Sequence, residues 1–262
     1  MISVTSSQLS AWFALFIFPF TRILALVASA PILGNRQIPA RLKIGLSLLL
    51  TFIVAPTLAV QPDIEPASAM GLFVLVQQML VGLAMGFTMR LIFTAVEMSG
   101  DIAGMQMGLG FASFYDPQHA GYTPLVAQFL GIVAALAFLA MNGHLAMLSA
   151  LSESFSVFPI SAAVPSATAL HTLATWGGSI FVYALQLSLP LVGALLITNM
   201  ALGILARSAP QLNIFAVGFP ITLAIGFAAL ALSLPHLLPL LEIITHASMD
   251  TAASIVRQLG PR

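Results

Sequence analysis

The sequence predicts an all-α, polytopic integral membrane protein with about six apolar, kinked helical segments, and three observations predict it. Of 262 residues, 60% are hydrophobic and 6% charged, against about 45–50% and 25% in an ordinary soluble domain. The charge-free runs from Ser154 to Ala206 and from Ser208 to Leu241 far exceed the ~18 apolar residues that mark one spanning helix. The apolar residues lack the period-two alternation of a membrane barrel, so helices are the remaining way to satisfy backbone amides in hydrocarbon.

Six segments follow in order: Ala11 to Leu33, Lys43 to Val60, Met70 to Val96, Leu125 to Leu151, Trp176 to Ala206 and Asn213 to Leu241. Each has close to the length needed to cross about 30 Å at 1.5 Å per residue. The first carries Pro19, Pro31 and an intramembrane Arg22, and the second is short and interrupted by Gly45 and Pro56, so neither reads as a plain lipid-facing span. Further prolines and glycines inside apolar runs, among them Pro190, Pro220, Pro235, Gly193, Gly218 and Gly226, predict kinks whose freed carbonyls are covered by neighbouring protein. Burial in an assembly is the expectation. The Ser- and Ala-rich stretch from Pro159 to Pro165 is the best internal boundary.

Eight Lys plus Arg balance eight Asp plus Glu, which leaves no basic field for nucleic acid. The absence of cysteine removes disulfides, thiolate nucleophiles and Cys-ligated metals. Met1 to Ser10 has no Lys or Arg, so no cleavable signal peptide is expected there. Arg36, Arg41, Lys43, Arg90 and Arg207 fall at the ends of segments on one side, whereas Asp63 and Glu65 mark the loop on the other. The positive-inside rule then places these five cations in the cytoplasm and both termini outside.

Arg90, Glu97 and Asp101 stand seven and four residues apart, one stripe of a continued helix. A polar track or proton relay is one reading of ionisable groups at membrane depth; a solvated side of an emerging helix is the other. Gly82 and Gly86, and again Gly100 and Gly104, recur at the four-residue spacing that lets helix backbones approach. The run from Met105 to Pro117 (Met105, Gln106, Met107, Gly108, Leu109, Gly110, Phe111, then Ala-Ser, Phe114 and Tyr-Asp-Pro) joins deformable backbone to soft apolar side chains. Methionine repacks readily, so such a segment suits a yielding seal, with ordinary core packing as the competitor. The five histidines form no metal spacing, and HExxH, GxSxG, P-loop and dinucleotide patterns are missing. No catalytic, cofactor-binding or metal-binding residue is expected, and an enzyme is not.

Three blocks carry a resemblance: APILGNRQIPARLKIGLSL from Ala30, GDIAGMQMGLGFASFYDP from Gly100 and ARSAPQLNIFAVGFPITL from Ala206. Together they resemble the FliR family, the flagellar biosynthesis protein of the type III secretion export gate, whose injectisome relatives share the pattern. The resemblance implies a bacterial inner-membrane subunit within the flagellar basal body. It would assemble as a hetero-oligomer with the P and Q export-gate proteins and the B protein, and pass unfolded export substrates. It also implies that residues 1–165 form a P-like helical part and 166–262 a Q-like hairpin, and that apolar segments need not all span lipid. Met105 to Pro117 would plug the lumen, and the cytoplasmic turn at Arg207, Pro210 and Gln211 would meet the B protein. The alternative is a proton-coupled small-solute transporter using Arg22, Glu97 and Asp101, for which the sequence lacks the inverted repeats such folds use.

Overall fold

The structure, a computed structural model, describes residues 6–58, 64–111, 124–164, 166–211 and 213–260. Eight α-helices run in order among them: α1 Ser6–Ser29, α2 Ala40–Val54, α3 Ala69–Gln106, α4 Leu125–Ala140, α5 Gly143–Val157, α6 Ala167–Gly177, α7 Ser179–Ser208 and α8 Ile214–Leu259. Short 3-10 turns follow α2 at Ala55–Thr57 and α3 at Leu109–Phe111. No strand occurs among the described residues. Five helical stretches are long and apolar enough to cross a membrane, and α4 with α5 make a sixth if that broken pair is one span. The chain is a polytopic all-α membrane protein.

Three elements depart from the lengths expected. The third segment continues ten residues past Val96, to Gln106, because the glycines at 100 and 104 cost helix propensity without ending the helix. The fourth is broken after Met141, where Asn142 takes φ 56°. That left-handed conformation suits asparagine better than most residues, and its carbonyl then accepts from Leu145 and Ala146 to start α5. The last segment does not stop at Leu241 but runs 46 residues, through Pro220, Pro235 and Pro239.

The chain forms two compact units, neither of them one continuous stretch. The first comprises residues 1–91, 142–177 and 245–262. Its core joins Phe18, Ile23 and Leu26 of α1 to Val74, Val81 and Met85 of α3, Met147, Leu151 and Phe155 of α5, and Ile255 and Leu259 of α8. α1 and α3 run parallel here. A side chain at Gly82 would meet the Arg22 carbonyl and Ala25, and one at Gly86 would meet Ser29 and the Leu26 carbonyl. Polar residues of α2 bond back to their own backbone, Ser47 to the Lys43 carbonyl at 2.7 Å and Thr51 to that of Ser47 at 2.6 Å, which lets them be buried at small cost.

The second unit comprises residues 92–141 and 178–244. Within it the end of α3 lies against α4, with Phe93 and Phe138 edge to face at 5.5 Å. A Cβ at Gly100 would fall 2.5 Å from the Ala127 Cα, whereas one at Gly104 would stand 3.7 Å from Val126, an ordinary contact. The outer faces of α7 and α8 are strongly apolar: Ile197, Met200 and Leu232 are 73%, 71% and 75% exposed. Such faces belong against lipid or another helix.

Candidate functional site

The run that begins at Met105 starts as the last turn of α3. Met107 donates to the Ala103 carbonyl at 2.9 Å and Gly108 to that of Met105 at 3.0 Å. Gly108 then takes φ 85°, a conformation open to glycine and costly for other residues, so it stops the helix and turns the chain. Leu109–Phe111 make one 3-10 turn. The positions from Ala112 to Thr123, Phe114 among them, lie outside the described residues. Met105 is exposed, Gln106, Gly108, Leu109 and Gly110 are half-buried, and Met107 is fully buried.

Met107 rests on α8. A Cβ at Gly226 would come within 2.6–2.9 Å of the Met107 Cγ, Cε and Sδ, so the missing side chain is what makes room for the thioether. One turn away, the Thr222 hydroxyl donates to the Phe219 carbonyl at 3.0 Å and faces the Met107 carbonyl at 3.5 Å, too long to be a strong bond. The seat therefore holds the segment by shape and dispersion. Sequence reading finds Met107 and Gly108, names Gly226 only as a glycine that kinks an apolar run, and misses Thr222. Nothing in one sequence ties that glycine, or the threonine one turn before it, to a methionine more than a hundred positions earlier.

Arg90, Glu97 and Asp101 all lie on α3 but in different units, Arg90 in the first and the two carboxylates in the second. Arg90 and Glu97 are exposed and Asp101 is half-buried. Glu97 lies over α4, where a Cβ at Gly131 would stand 3.4 Å from its Cγ and Oε1. At the end of α7, Arg207, Pro210 and Gln211 are exposed, and Arg207 sits in the last helical turn, where a cation faces the negative end of the helix dipole. Asn213 starts α8 by accepting from the Ala216 N–H on both its carbonyl, at 3.0 Å, and its Oδ1, at 3.3 Å.

Arg22 has 0% exposure and is held by uncharged acceptors. Its Nε donates to the Gln78 Oε1 at 2.8 Å, one terminal nitrogen to the Ser154 carbonyl and hydroxyl at 2.9 and 3.1 Å, and the other to the Phe158 carbonyl at 2.8 Å. Its guanidinium lies 4.2 Å from the centre of the Phe155 ring. Gln77, next to Gln78, donates to the Ala163 carbonyl. One cation thus ties α1 to α3 and to the C-terminal carbonyls of α5, the end of a helix that favours positive charge. Among the described residues no cluster of His, Asp and Glu could hold a metal ion.

Comparison with known proteins agrees with the resemblance of the three blocks. The family model described as Bacterial export proteins, family 1, matches residues 13–247. The chain is 41% identical over 259 residues to the flagellar biosynthetic protein FliR of Escherichia coli K12, covering 99% of both chains. It is 44% identical over 260 residues to FliR of Pectobacterium carotovorum, again covering 99% of both. To FliR of Bacillus subtilis it is 30% identical over 251 residues, 95% of this chain and 96% of that one. A match along the whole length, on a chain of apolar helices, assigns the protein to the FliR family of flagellar export proteins in the membrane.

Proposed function

We propose that the chain is a core subunit of a protein-conducting channel for unfolded substrates of flagellar type III export. In this reading it sits in the bacterial inner membrane within the basal body, assembled with the P and Q export-gate proteins and adjoining the B protein through Arg207, Pro210 and Gln211. Residues 1–165 stand as a P-like part and 166–262 as a Q-like hairpin. The run from Met105 to Pro117 plugs the lumen.

The observation that carries the reading is the seat of Met107. A closed channel needs a segment held firmly enough to exclude ions and loosely enough to let a chain past. Here the run leaves its helix at a left-handed glycine and rests on Gly226 through a flexible thioether, with the nearest hydroxyl at 3.5 Å. Burial of one such side chain is worth about 1.5–3 kcal/mol, enough to favour the closed position and little enough to be overcome by a driven substrate. The polar groups offered by a solute transporter fit less well, since Arg22 is occupied by three backbone and side-chain partners of its own unit.

The test uses the natural absence of cysteine. A single cysteine at Met105 or Leu109, with an export substrate stalled by a folded C-terminal domain, should form a disulfide to cysteines placed along the substrate. A cysteine at Ile197, on the outer face of α7, should not. Cross-links at Ile197 in place of Met105 and Leu109 would remove the plug from the pathway.

A further inference from the structure

A groove of about 340 Å³ lies in the first unit, bounded by α3, α6 and the end of α8. Its floor is buried Ala84, Ala169 and Leu259. Its walls are Leu83 and Phe87 of α3 and Leu170 of α6, which remain 38%, 41% and 50% exposed. The lining is apolar apart from Ser29, whose hydroxyl donates to the Ala25 carbonyl at 2.7 Å, and Arg90 at one end. From Leu80 to Arg90 the α3 wall rises ten helical steps, about 15 Å at 1.5 Å per residue. That equals the depth of one leaflet, half of an about 30 Å hydrocarbon core.

Three further cations of the unit, Arg36, Arg41 and Lys43, follow α1 at the charged end. α1 and α3 run parallel, with Gly82 beside Arg22 and Ala25 and Gly86 beside Ser29, so four residues further on Arg90 is level with the turn that follows α1. The Gly34 carbonyl of that turn accepts from the Lys43 ammonium at 3.0 Å, and Arg36 and Arg41 stand exposed near it. An apolar slot of leaflet depth with a guanidinium at its mouth matches an amphiphile with an acidic head and an apolar tail. Arginine offers five donors in a fork that fits phosphate oxygens, and cations at the membrane surface attract acidic lipid.

We propose that this groove binds one acyl chain of an anionic phospholipid, with its phosphate on Arg90. The site rests on the membrane location of the chain and is independent of the plug reading. It would fasten α6 and the end of α8 to α3 through a lipid in place of a further helix.

The experiment is photolabelling of the assembled export complex, all subunits retained, in mild detergent. One probe is phosphatidylglycerol with a diazirine on its acyl chain; the other is the diacylglycerol with the same chains and no phosphate. Phosphatidylglycerol should label peptides containing Leu83 and Leu170 roughly tenfold more than diacylglycerol, the factor expected of a charge-assisted phosphate bond. Arg90→Gln should bring the two probes level, Arg90→Lys should keep most of the difference, and Leu170→Trp should block both. Equal labelling of wild type by the two probes would overturn the proposal. So would protein cross-links between these positions and another subunit in place of lipid, which would show a partner helix in the groove. If Arg90→Gln fails to assemble, the two-probe comparison on wild type decides alone.

Discussion

Arg22 is the residue on which the first unit depends most visibly, because a cation with no exposure keeps its solvation only through the groups that replace water. Gln78 supplies one of these at 2.8 Å. Gln78→Leu keeps the volume and leaves the Arg22 Nε unsatisfied, so it should cost about 1.5–3 kcal/mol, read as a lower Tm of the purified protein in detergent. Gln78→Glu, which keeps an acceptor, should lose less. A wild-type Tm in Gln78→Leu would mean that the network is not what holds α1. The sequence marks Arg22 as an arginine at membrane depth in need of partners. It cannot say that they are an amide, a serine hydroxyl and two helix-terminal carbonyls, because the carbonyls of Ser154 and Phe158 carry no residue signature. The same limit hides the contact between Gly226 and Met107 from a reading that names both residues separately.

Among the helices, the glycines of α3 separate what spacing predicts from what packing decides. Gly100 and Gly104 are equivalent in the sequence, four apart on one stripe. In the fold, a Cβ at Gly100 would press on the Ala127 backbone at 2.5 Å, whereas at Gly104 it would meet Val126 at 3.7 Å. Gly100→Ala should therefore destabilise the α3–α4 contact by about 1–3 kcal/mol, as overpacking does. Gly104→Ala should be neutral or gain up to about 1 kcal/mol of helix propensity. Thermal unfolding of the two variants side by side checks this, and equal losses would contradict the packing described. The presence and type of the helices follow from apolar runs, which is why all six segments reappear as helix. Their ends do not, because α8 runs on through three exposed prolines, each of which costs roughly 3 kcal/mol in a helix interior, and the fourth segment breaks at an asparagine that no apolar pattern announces.

For the whole molecule, the distribution of eight cations predicts which end faces the cytoplasm. Single cysteines at Asn35 and Ser208 should react with a membrane-impermeant thiol reagent only after the inner membrane is opened, and one at Asp63 in intact spheroplasts; the reverse pattern would invert the orientation. Membership of the export family makes the chain one part of a larger apparatus, and the apolar faces of α7 and α8 are surfaces that an assembly or the bilayer must cover. The central claim is that the run beginning at Met105 closes a passage and yields. Ion conductance of the assembled complex in a planar bilayer tests it most directly. Wild type should be nearly silent, and Gly226→Val, which displaces Met107, and the pair Phe111→Ala with Phe114→Ala should each open a leak while the complex still assembles. Variants that assemble fully and conduct no more than wild type would contradict the account.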